Sequence, residues 1–449
     1  MAKSQNIQKF ILAALVLLSL VLSALLWLSG SPWIGLDSAG KEEQDVSSQS
    51  VPSIVDRTLQ DVYRPVQYIA HNADDQSAAH ALVDPKKQKE INDFLKQAEF
   101  DKFLGRQDLA HEDFFAITHN ENWLELIYSD DLPIGVFEKQ FKNLPKDAAD
   151  FTYDHVLVSR NDPVTIWLYN YKKQEAAQIS VKKFDLPKLA ESVSEALANS
   201  QTVFSATVKD NTVYLPTEVC ETPFKSYVIE KLPNSIYVSY FFPDTSVVDS
   251  RTTNNITRYI DLTKEVSINQ KTNVLNFLSQ NSSSEALTLS ERFDASYHVI
   301  NDLENWQDDV IYHSYSESTH RLCFQRFIEG LPVFHEPNEE AMAELSLEDE
   351  GLTYLKLPLR FIQTPIAIQK APTETLPNGF DVLDRLRAAG YAVTDKIEDL
   401  TIGYTWSERK DNEKVVEFKP EWYVRISGRW RTLADVLAKR AEKEVTYEF

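Results

Sequence analysis

Glycine and cysteine are both scarce in this chain of 449 residues, which contains 11 glycines and 2 cysteines. Proteins usually contain about 7% glycine. Nucleotide-binding glycine loops, propellers and collagen-like repeats need many positions with positive φ or close backbone approach, so the low glycine content argues against them. Two cysteines, Cys220 and Cys323, are too few for a disulfide framework. The two alternatives are a single disulfide bond between them and two unreactive buried thiols, of which the thiols are favoured.

Basic side chains are also few, with 46 lysines and arginines against 68 aspartates and glutamates, a formal net charge of −22. A body this acidic repels nucleic acid, anionic lipid headgroups and anionic wall polymers, so we predict no nucleic-acid partner. Hydrophobic residues nevertheless make up 43% of the chain and aromatic residues 11%. The chain is therefore long and apolar enough for two or three folded units.

Catalytic and metal-binding motifs are missing from the sequence. It contains no HExxH, GxSxG, GxGxxG or P-loop pattern. Ser180-x-x-Lys183 matches a serine–lysine nucleophile pattern, but the companion motifs are absent and two residues at this spacing recur by chance. His313 and His320 lie seven apart in a strand-like stretch, which makes a metal pair improbable. We predict a protein that is not an enzyme and that needs no cofactor or metal.

Residues 10–28 form an unbroken run of uncharged, mostly apolar residues. At about 1.5 Å per residue, the run is just long enough to cross a bilayer as a helix. A cleaved signal peptide usually has a shorter apolar region of about 7–15 residues, so an uncleaved anchor is favoured. Lys3 and Lys9 precede the run and acidic residues follow it. The positive-inside rule places residues 1–9 in the cytoplasm and the rest of the chain outside the cell membrane.

Three small residues mark a candidate contact face on this span. Ser19 and Ser23 are four apart and therefore share a helical face, with Ala24 adjacent in sequence. Small residues at this spacing let two helix backbones approach closely, and serine hydroxyls can bridge them. The alternative is that the two serines lie four residues apart by chance and have no partner helix. The pattern predicts contact with a partner helix in the membrane.

The remaining sequence predicts an α+β protein with antiparallel sheets and packed helices. Polar, aperiodic residues follow the span and are typical of a flexible stalk. Changes in composition then divide the chain into folded units. The predicted parts are a stalk (29–53), extracytoplasmic domain 1 (54–185), domain 2 (186–290), domain 3 (291–433) and a charged helical tail (434–449).

Hydrophobic spacing predicts the main elements inside these units. The helices are expected in PKKQKEINDFLKQAEF (85–100), LPKLAESVSEALANS (186–200) and GFDVLDRLRAAG (379–390), the last with a stop at Gly390. Hairpins are expected in 151–173, 321–336, 341–361 and 421–433, the first turning at Asn161-Asp162-Pro163 and the last at Ser427-Gly428. Strand–turn–strand is expected in NWLELIYSDDLPIGVF (122–137), a strand in IYVSYFF (236–242), and a connector between units in 269–292.

Five segments, distributed from the span to the last strands, resemble the YycH family. They are LVLLSLVLSALLWLSGSP (15–32), YHVINDLENWQDDVIYHSYSE (297–317), CFQRFIEGLPVF (323–334), DLTIGYTW (399–406) and FKPEWYVRISGRWRTL (418–433). The resemblance implies a single-span extracytoplasmic regulator with three domains, the last two similar in fold. It also implies action with YycI, a shorter bitopic protein, on the sensor histidine kinase YycG (WalK) of the YycG/YycF (WalK/WalR) system in Gram-positive bacteria, which controls cell-wall metabolism.

The apolar span, the lack of catalytic motifs and the family resemblance together predict a membrane-anchored regulator that acts through transmembrane-helix and ectodomain contacts. Whether it inhibits or activates the kinase stays open, as does the role of the tail, which is longer than the family pattern. The alternative is an extracytoplasmic binding module for a cell-wall fragment or peptide, for which aromatic-rich strands would supply the surface. A concave pocket lined by tryptophans would favour that alternative.

Overall fold

The computed structural model describes residues 57–72, 79–161, 165–244, 248–280, 287–304, 309–335, 341–348, 351–367, 372–409 and 411–438. All of them belong to one compact unit, Gln49–Phe449. The predicted cytoplasmic N-terminus, span and stalk lie outside the described residues. None of the helices within the described ranges is both long enough and apolar enough to cross a membrane.

Four of the longer helices begin at side-chain caps, namely Asp84, Asp185, Thr288 and Asn378. Asp84 accepts a hydrogen bond from the backbone N–H of Lys86 at 2.9 Å, and Thr288 and Glu291 form a reciprocal capping box. The helices are α1 (Leu59–Val62), α2 (Pro85–Lys96), α3 (His111–Asn120), α4 (Leu186–Leu197), α5 (Asn234–Phe241), α6 (Leu289–Leu303), α7 (Gly379–Ala388) and α8 (Val393–Lys396), with a 3₁₀ helix at Ile134–Gln140 and further helix at 433–438.

Ten strands of the described residues form the first sheet, in the order β10-β9-β2-β1-β4-β6-β7-β8-β3-β5. All neighbours are antiparallel except β3 and β5. The strands are β1 (Gln67–Ala70), β2 (Ala79–Ala81), β3 (Glu99–Asp108), β4 (Trp123–Pro133), β5 (Phe141–Asn143), β6 (Thr152–Ser159), β7 (Thr165–Asn170), β8 (Glu175–Lys183), β9 (Gln201–Val208) and β10 (Asn211–Pro216).

The second sheet contains fourteen of the described strands, in the order β13-β14-β15-β16-β21-β20-β18-β19-β24-β25-β12-β22, with β17 beside β18 and β26 beside β25. Its only parallel pair within the described ranges joins β19 to β24. The strands are β12 (Lys225–Lys231), β13 (Asp249–Thr253), β14 (Ile256–Ile260), β15 (Lys264–Asn269), β16 (Val274–Ser279), β17 (Asp309–Ser316), β18 (Arg321–Ile328), β19 (Leu331–Phe334), β20 (Met342–Glu348), β21 (Gly351–Pro358), β22 (Arg360–Pro365), β24 (Asp399–Arg409), β25 (Asn412–Ile426) and β26 (Arg429–Thr432). A small separate sheet pairs β11 (Cys220–Pro223) with β23 (Thr373–Leu376).

The mixed α+β class is confirmed, and so are most of the predicted elements. α2, α4 and α7 lie in the three segments predicted as helices. Gly390 follows α7 with φ of +77°, and the N–H of Tyr391 donates to the carbonyl of Leu386, which ends the helix as expected. The hairpin β25–β26 turns at Ser427-Gly428 with φ values of 52° and 71°, the geometry of a tight primed turn.

Three local predictions were wrong: the strand at 236–242, the turn within 122–137 and the connector at 269–292. The segment predicted as the strand IYVSYFF is helix α5, because its buried residues Tyr237, Val238 and Phe241 are spaced for a helical face and Pro233 precedes the first turn. β4 runs through the predicted turn to Pro133, and its register against β6 shifts between Ile127 and Leu132. The aspartates of that stretch therefore lie in an irregular part of one strand, where their carboxylates meet partners from other elements.

The predicted connector 269–292 contains strand β16 and the first turn of α6. The predicted domain boundaries stay predictions, and the sheets run across them. β9 and β10, from predicted domain 2, complete the first sheet, while β12 to β16 join strands of predicted domain 3. The fold thus brings distant parts of the chain together where the two large sheets meet.

Candidate functional site

A cavity of about 680 Å³, here called the central cavity, lies between elements of both large sheets. From the first sheet it is lined by residues of β1, β2, β4, β9 and β10. From the second it is lined by residues of β18, β19 and β24 to β26, including Trp422 and Trp430. Ligand pockets are typically concave, of this size and lined by aromatic and a few polar groups, so the central cavity is the candidate site.

Behind one wall of the central cavity, where His155 and Tyr214 line it, lies a buried carboxylate network around Glu125, which is 1% exposed. Nε2 of His71 and the hydroxyl of Tyr214 each lie 2.7 Å from Oε2 of Glu125, and Nε2 of His155 lies 3.6 Å from Oε1. Nδ1 of His155 contacts Oδ1 of Asp154 at 2.8 Å. The network ties β1, β4, β6 and β10 together across the sheet.

Electrostatics keep this network charged. Burial opposes ionisation of Glu125, but the hydrogen bond and charge of His71 and the charge of His155 together lower the pKa of Glu125 below its usual value. Burial also opposes protonation of His155, and the charges of Asp154 and Glu125 outweigh it, so the pKa of His155 is raised. Glu125 and His155 therefore stabilise each other's charged forms.

A second charged group lines the central cavity where the sheets approach. Nζ of Lys172 contacts Oδ1 of Asp130 at 2.6 Å, and Oδ2 of Asp130 accepts a hydrogen bond from the backbone N–H of Tyr315 at 3.1 Å. Burial, and then the charge of Arg425, lower the pKa of His313 to about 4, so this imidazole is neutral at neutral pH. Residues of both large sheets thus contribute to one polar surface.

Three side chains in cross-strand register form a row on this surface. Asp399 of β24 lies opposite Arg425 of β25, which in turn lies opposite Trp430 of β26. Directly opposed residues point to the same face of a sheet, so a carboxylate, a guanidinium and an indole stand side by side. All three line the central cavity. Among the described residues, Asp399 forms no ion pair within 4 Å, which leaves its carboxylate facing the cavity.

Asp399 also makes a testable contribution to stability. Burial raises the pKa of Asp399 from 3.8 to about 6, against the opposing effects of the Leu400 N–H, Arg425 and Lys172. A carboxyl whose pKa is raised by folding contributes stability that is present below its unfolded pKa and is lost as the pH rises through its folded pKa. Since Asp399 is partly exposed, we expect Asp399→Asn to increase the free energy of unfolding by about 1–2 kcal/mol at pH 7.5 and by almost nothing at pH 4.

Urea unfolding of the intact chain at both pH values measures this effect. Asp411→Asn is the matched control, because Asp411 is exposed and the neighbouring Arg409 lowers its pKa. The control is expected to gain no stability at pH 7.5. Equal changes for Asp399→Asn at the two pH values would show that Asp399 is not held in this unfavourable charged state.

The first described residues of the chain are anchored on the second sheet. Tyr63 is 1% exposed, and its hydroxyl donates to the carbonyl oxygen of Phe293 in α6 at 2.7 Å. Its ring centroid lies 5.5 Å from those of both Phe293 and Tyr312. The chain directly after the predicted stalk is therefore held by residues about 230 positions further on, as the sequence separation of that hydrogen bond shows.

Ion pairs reinforce this attachment, which we call the N-terminal clamp (residues 57–64 against α6 and β17). Arg57 and Arg64 lie 2.8 Å and 2.9 Å from the two carboxylate oxygens of Asp309. The hydroxyl of Tyr297 donates to the carbonyl of Arg57 at 2.8 Å. The N-terminal end of the described chain is thus held against both α6 and β17.

The structure separates the residues that the sequence motifs grouped. Ser180 and Lys183 lie on β8, where three-residue spacing puts them on opposite faces. Oγ of Ser180 accepts from the backbone N–H of Lys102, and Nζ of Lys183 lies 3.7 Å from Glu99. No group of three histidine, cysteine or acidic side chains suited to a metal occurs within the described ranges.

The two predicted histidines and the two cysteines are likewise apart. His313 is buried on β17, whereas His320 lies in the following turn and contacts Glu348 at 3.1 Å. Cys220 and Cys323 are free thiols on β11 and β18. The predicted helix-contact residues Ser19, Ser23 and Ala24 lie outside the described residues.

The sequence interpretation missed the cavity residues and the Glu125 network behind them, although two residues of that network left a signal. Glu125 is the one charged residue in the apolar run WLELIY, and His155 stands directly before the apolar run VLV. A charged or imidazole group in a buried strand needs a partner, so each predicted a polar network. The partner residues themselves come from distant strands, which periodicity does not reveal.

Comparison with known proteins agrees with the fold. Residues 5–198 match the family model described as "YycH protein, N-terminal domain", and residues 210–441 match "YycH protein, C-terminal domain". A curated relative in Bacillus subtilis (strain 168), named "Two-component system WalR/WalK regulatory protein YycH", is 23% identical over 455 residues, which are 95% of this chain and 96% of the relative. The crystal structure of YycH from Bacillus subtilis shares the fold, with a TM-score of 0.69, 18% identity and coverage of 85% of this chain and 98% of that chain. On the family models, which together span most of its length, this chain belongs to the YycH family.

Proposed function

We propose that this chain is a non-enzymatic regulator of a WalR/WalK-type two-component system. The observation that carries the proposal is the match of both YycH family models, over residues 5–198 and 210–441. The name of the Bacillus subtilis relative, a WalR/WalK regulatory protein, supports the same role. The regulated process would be cell-wall metabolism, as the family resemblance implies.

The proposed mechanism begins at the membrane. Residues 10–28 anchor the chain as a single span, with residues 1–9 cytoplasmic and the bulk extracytoplasmic. The chain acts with a YycI-like bitopic partner on the sensor histidine kinase YycG/WalK. A regulator changes a kinase only if it binds the active and inactive states with different affinity. The N-terminal clamp supports this mechanism, because it holds residues 57–64, the first described residues, against α6 and β17, and in the proposal this attachment couples the ectodomain to the span.

The contact face of the span is testable by substitution. We expect Ser19→Leu combined with Ser23→Leu to reduce the effect of the chain on kinase output by about fivefold, the size of a modest coupling free energy. Bulky side chains on that face keep the partner helix away. The measurement is the phosphorylated fraction of the response regulator in vesicles that contain the kinase, the YycI-like partner and the chain.

The matched control places the same number of leucines on the opposite face. In a helix with 100° per residue, Ala14 and Val21 lie opposite the two serines, so Ala14→Leu combined with Val21→Leu is expected to preserve regulation. Kinase output that is unchanged by the serine substitutions, or lowered equally by both pairs, would refute this contact face.

A second role, binding of an extracytoplasmic ligand, is favoured by one specific observation. The central cavity of about 680 Å³ is lined by Trp422 and Trp430 and by charged groups of both sheets. A ligand bound between the two sheets would change how they pack against each other. This change in packing would in turn alter the contacts of the N-terminal clamp. Quenching of tryptophan fluorescence by soluble wall fragments would support this role, and an unchanged signal at millimolar concentration would count against it.

A further inference from the structure

The edge of β10 is buried beside the central cavity and carries no second strand among the described elements. β10 pairs with β9 alone, at the end of the first sheet. All residues from 209 to 216 line the cavity in succession, and Thr212 to Leu215 are each at most 7% exposed. A strand that lines a cavity with consecutive residues presents its backbone edge, because side chains of one face would line it only at every second position.

This edge has main-chain groups that lack strand partners. In an antiparallel pair, alternate residues direct their N–H and C=O groups away from the neighbouring strand. Buried main-chain polar groups are nearly always hydrogen-bonded, so groups directed into a cavity are satisfied by whatever occupies it. The N–H of Thr212 already donates a hydrogen bond to Oδ1 of the neighbouring Asn211 side chain. Further along β10 the alternate residues are Tyr214 and Pro216; because proline has no N–H, Tyr214 offers an N–H and a C=O to an added strand and Pro216 offers only a C=O.

The opposite wall provides a similar edge and an excess of negative charge. Residues 398–402 also line the central cavity in succession, at the start of β24, where β19 pairs only with Tyr404 and Thr405. The described lining residues include seven carboxylates against three lysine or arginine side chains: Asp130, Asp154, Asp210, Glu221, Glu329, Glu398 and Asp399 against Lys172, Lys209 and Arg425. Within the described ranges, Asp399 and Glu221 are the two of these carboxylates that form no ion pair within 4 Å, and the hydroxyl of Thr375 donates to Glu221 at 2.6 Å.

We propose that the central cavity binds an extended peptide rich in lysine or arginine, whose main chain pairs with the free edge of β10. The carboxylates of the β24 wall bind its basic side chains, with Asp399 as the principal anchor, while Trp422 and Trp430 contact the apolar stems of these side chains. Saccharides lack the regular N–H and C=O ladder that a strand edge recognises. This proposal rests on the ligand-binding role stated above and specifies its ligand.

The test uses the purified intact chain and two octapeptide mixtures. Lysine occupies every second position in one mixture and glutamate in the other, with Val, Ile, Thr or Tyr between. Bound peptides are identified by mass spectrometry and then titrated singly by tryptophan fluorescence. We expect lysine peptides to bind at least about tenfold more tightly than their glutamate counterparts. N-methylation of alternate amides along the pairing edge should weaken binding by a similar factor.

Two substitutions locate the binding in the central cavity. Asp399→Asn, which is expected to stabilise the fold, should weaken lysine-peptide binding at least tenfold, and Thr401→Trp should block it by filling the cavity beside β24. Asp411→Asn, at an exposed position outside the cavity, should leave binding unchanged. Thermal unfolding of each variant shows that it is folded.

Binding of the wall disaccharide N-acetylglucosaminyl-N-acetylmuramic acid without binding of any peptide would overturn the peptide proposal and leave a ligand-binding role intact. Absence of binding by both peptide mixtures and by the disaccharide would overturn both. Peptide binding that is insensitive to N-methylation, or equal for the lysine and glutamate mixtures, would also contradict the proposal.

Discussion

Replacing Glu125 with alanine is expected to reduce the free energy of unfolding by about 3–5 kcal/mol. The substitution removes the acceptor at 2.7 Å from both His71 and Tyr214 and the counter-charge of His155. All these partners are buried, so water does not replace the lost contacts. Glu125→Gln keeps the shape and one acceptor oxygen while losing the charge, and we expect it to have a smaller effect of about 1–3 kcal/mol.

Urea unfolding of the intact chain, followed by tryptophan fluorescence, measures both variants. Glu99→Ala is the matched control on the same sheet, since the ion pair of Glu99 with Lys182 is exposed, and we expect almost no change in the free energy of unfolding. Because the pKa of Glu125 is lowered by folding, its contribution is present above the ordinary value of 4.5 and is lost as the pH falls. The difference between wild type and Glu125→Ala should therefore narrow in acid, and a difference that widens would contradict the charged network.

Tyr63→Ala is expected to release the N-terminal clamp and to destabilise the fold by about 3–5 kcal/mol. It removes a fully buried ring that packs on Phe293 and Tyr312, together with the hydrogen bond to the Phe293 carbonyl. Tyr63→Phe keeps the ring and loses only the hydrogen bond, so we expect a loss of about 1 kcal/mol. The comparison separates ring packing from the polar contact.

Limited trypsin digestion under native conditions provides the readout specific to the clamp. Trypsin cleaves after arginine unless proline follows, so the Arg64–Pro65 bond is resistant and the informative bond of the clamp is Arg57–Thr58, whose arginine is held by Asp309. We expect protection of this bond in the wild type and in Tyr63→Phe, and rapid cleavage in Tyr63→Ala before the rest of the chain is cut. Equal protection in all three proteins would show that Tyr63 does not secure this segment.

Local structure could be predicted where a few neighbouring residues determine it. The helices α2 and α4 follow from apolar spacing and from Asp84 and Asp185 as caps, and the β25–β26 hairpin follows from strand patterning with a Ser-Gly turn. The strand predicted at 236–242 failed because aromatic and β-branched residues have strand propensity but also fill a buried helical face. There the tertiary environment overrides the local preference.

The candidate site could be predicted only in small part. The Glu125 network joins strands separated by 30 to 89 residues in sequence, and the clamp joins Tyr63 to Phe293 over 230 residues. Pairings at such distances depend on which strands become neighbours in the sheet, and periodicity contains no such information. The family, by contrast, was recognised from segments whose order and spacing extend over most of the chain, and the family models confirm it.

Regulation of the kinase by this chain can be measured as the rate at which a WalK-type kinase in vesicles phosphorylates its response regulator. The kinase is reconstituted with its YycI-like partner, either alone or with the intact chain, or with a chain whose residues 10–28 are replaced by an unrelated apolar span. We expect the intact chain to change the phosphorylation rate by at least about fivefold and the replaced span to abolish most of this change. A rate that is the same with and without the intact chain would contradict the regulatory function.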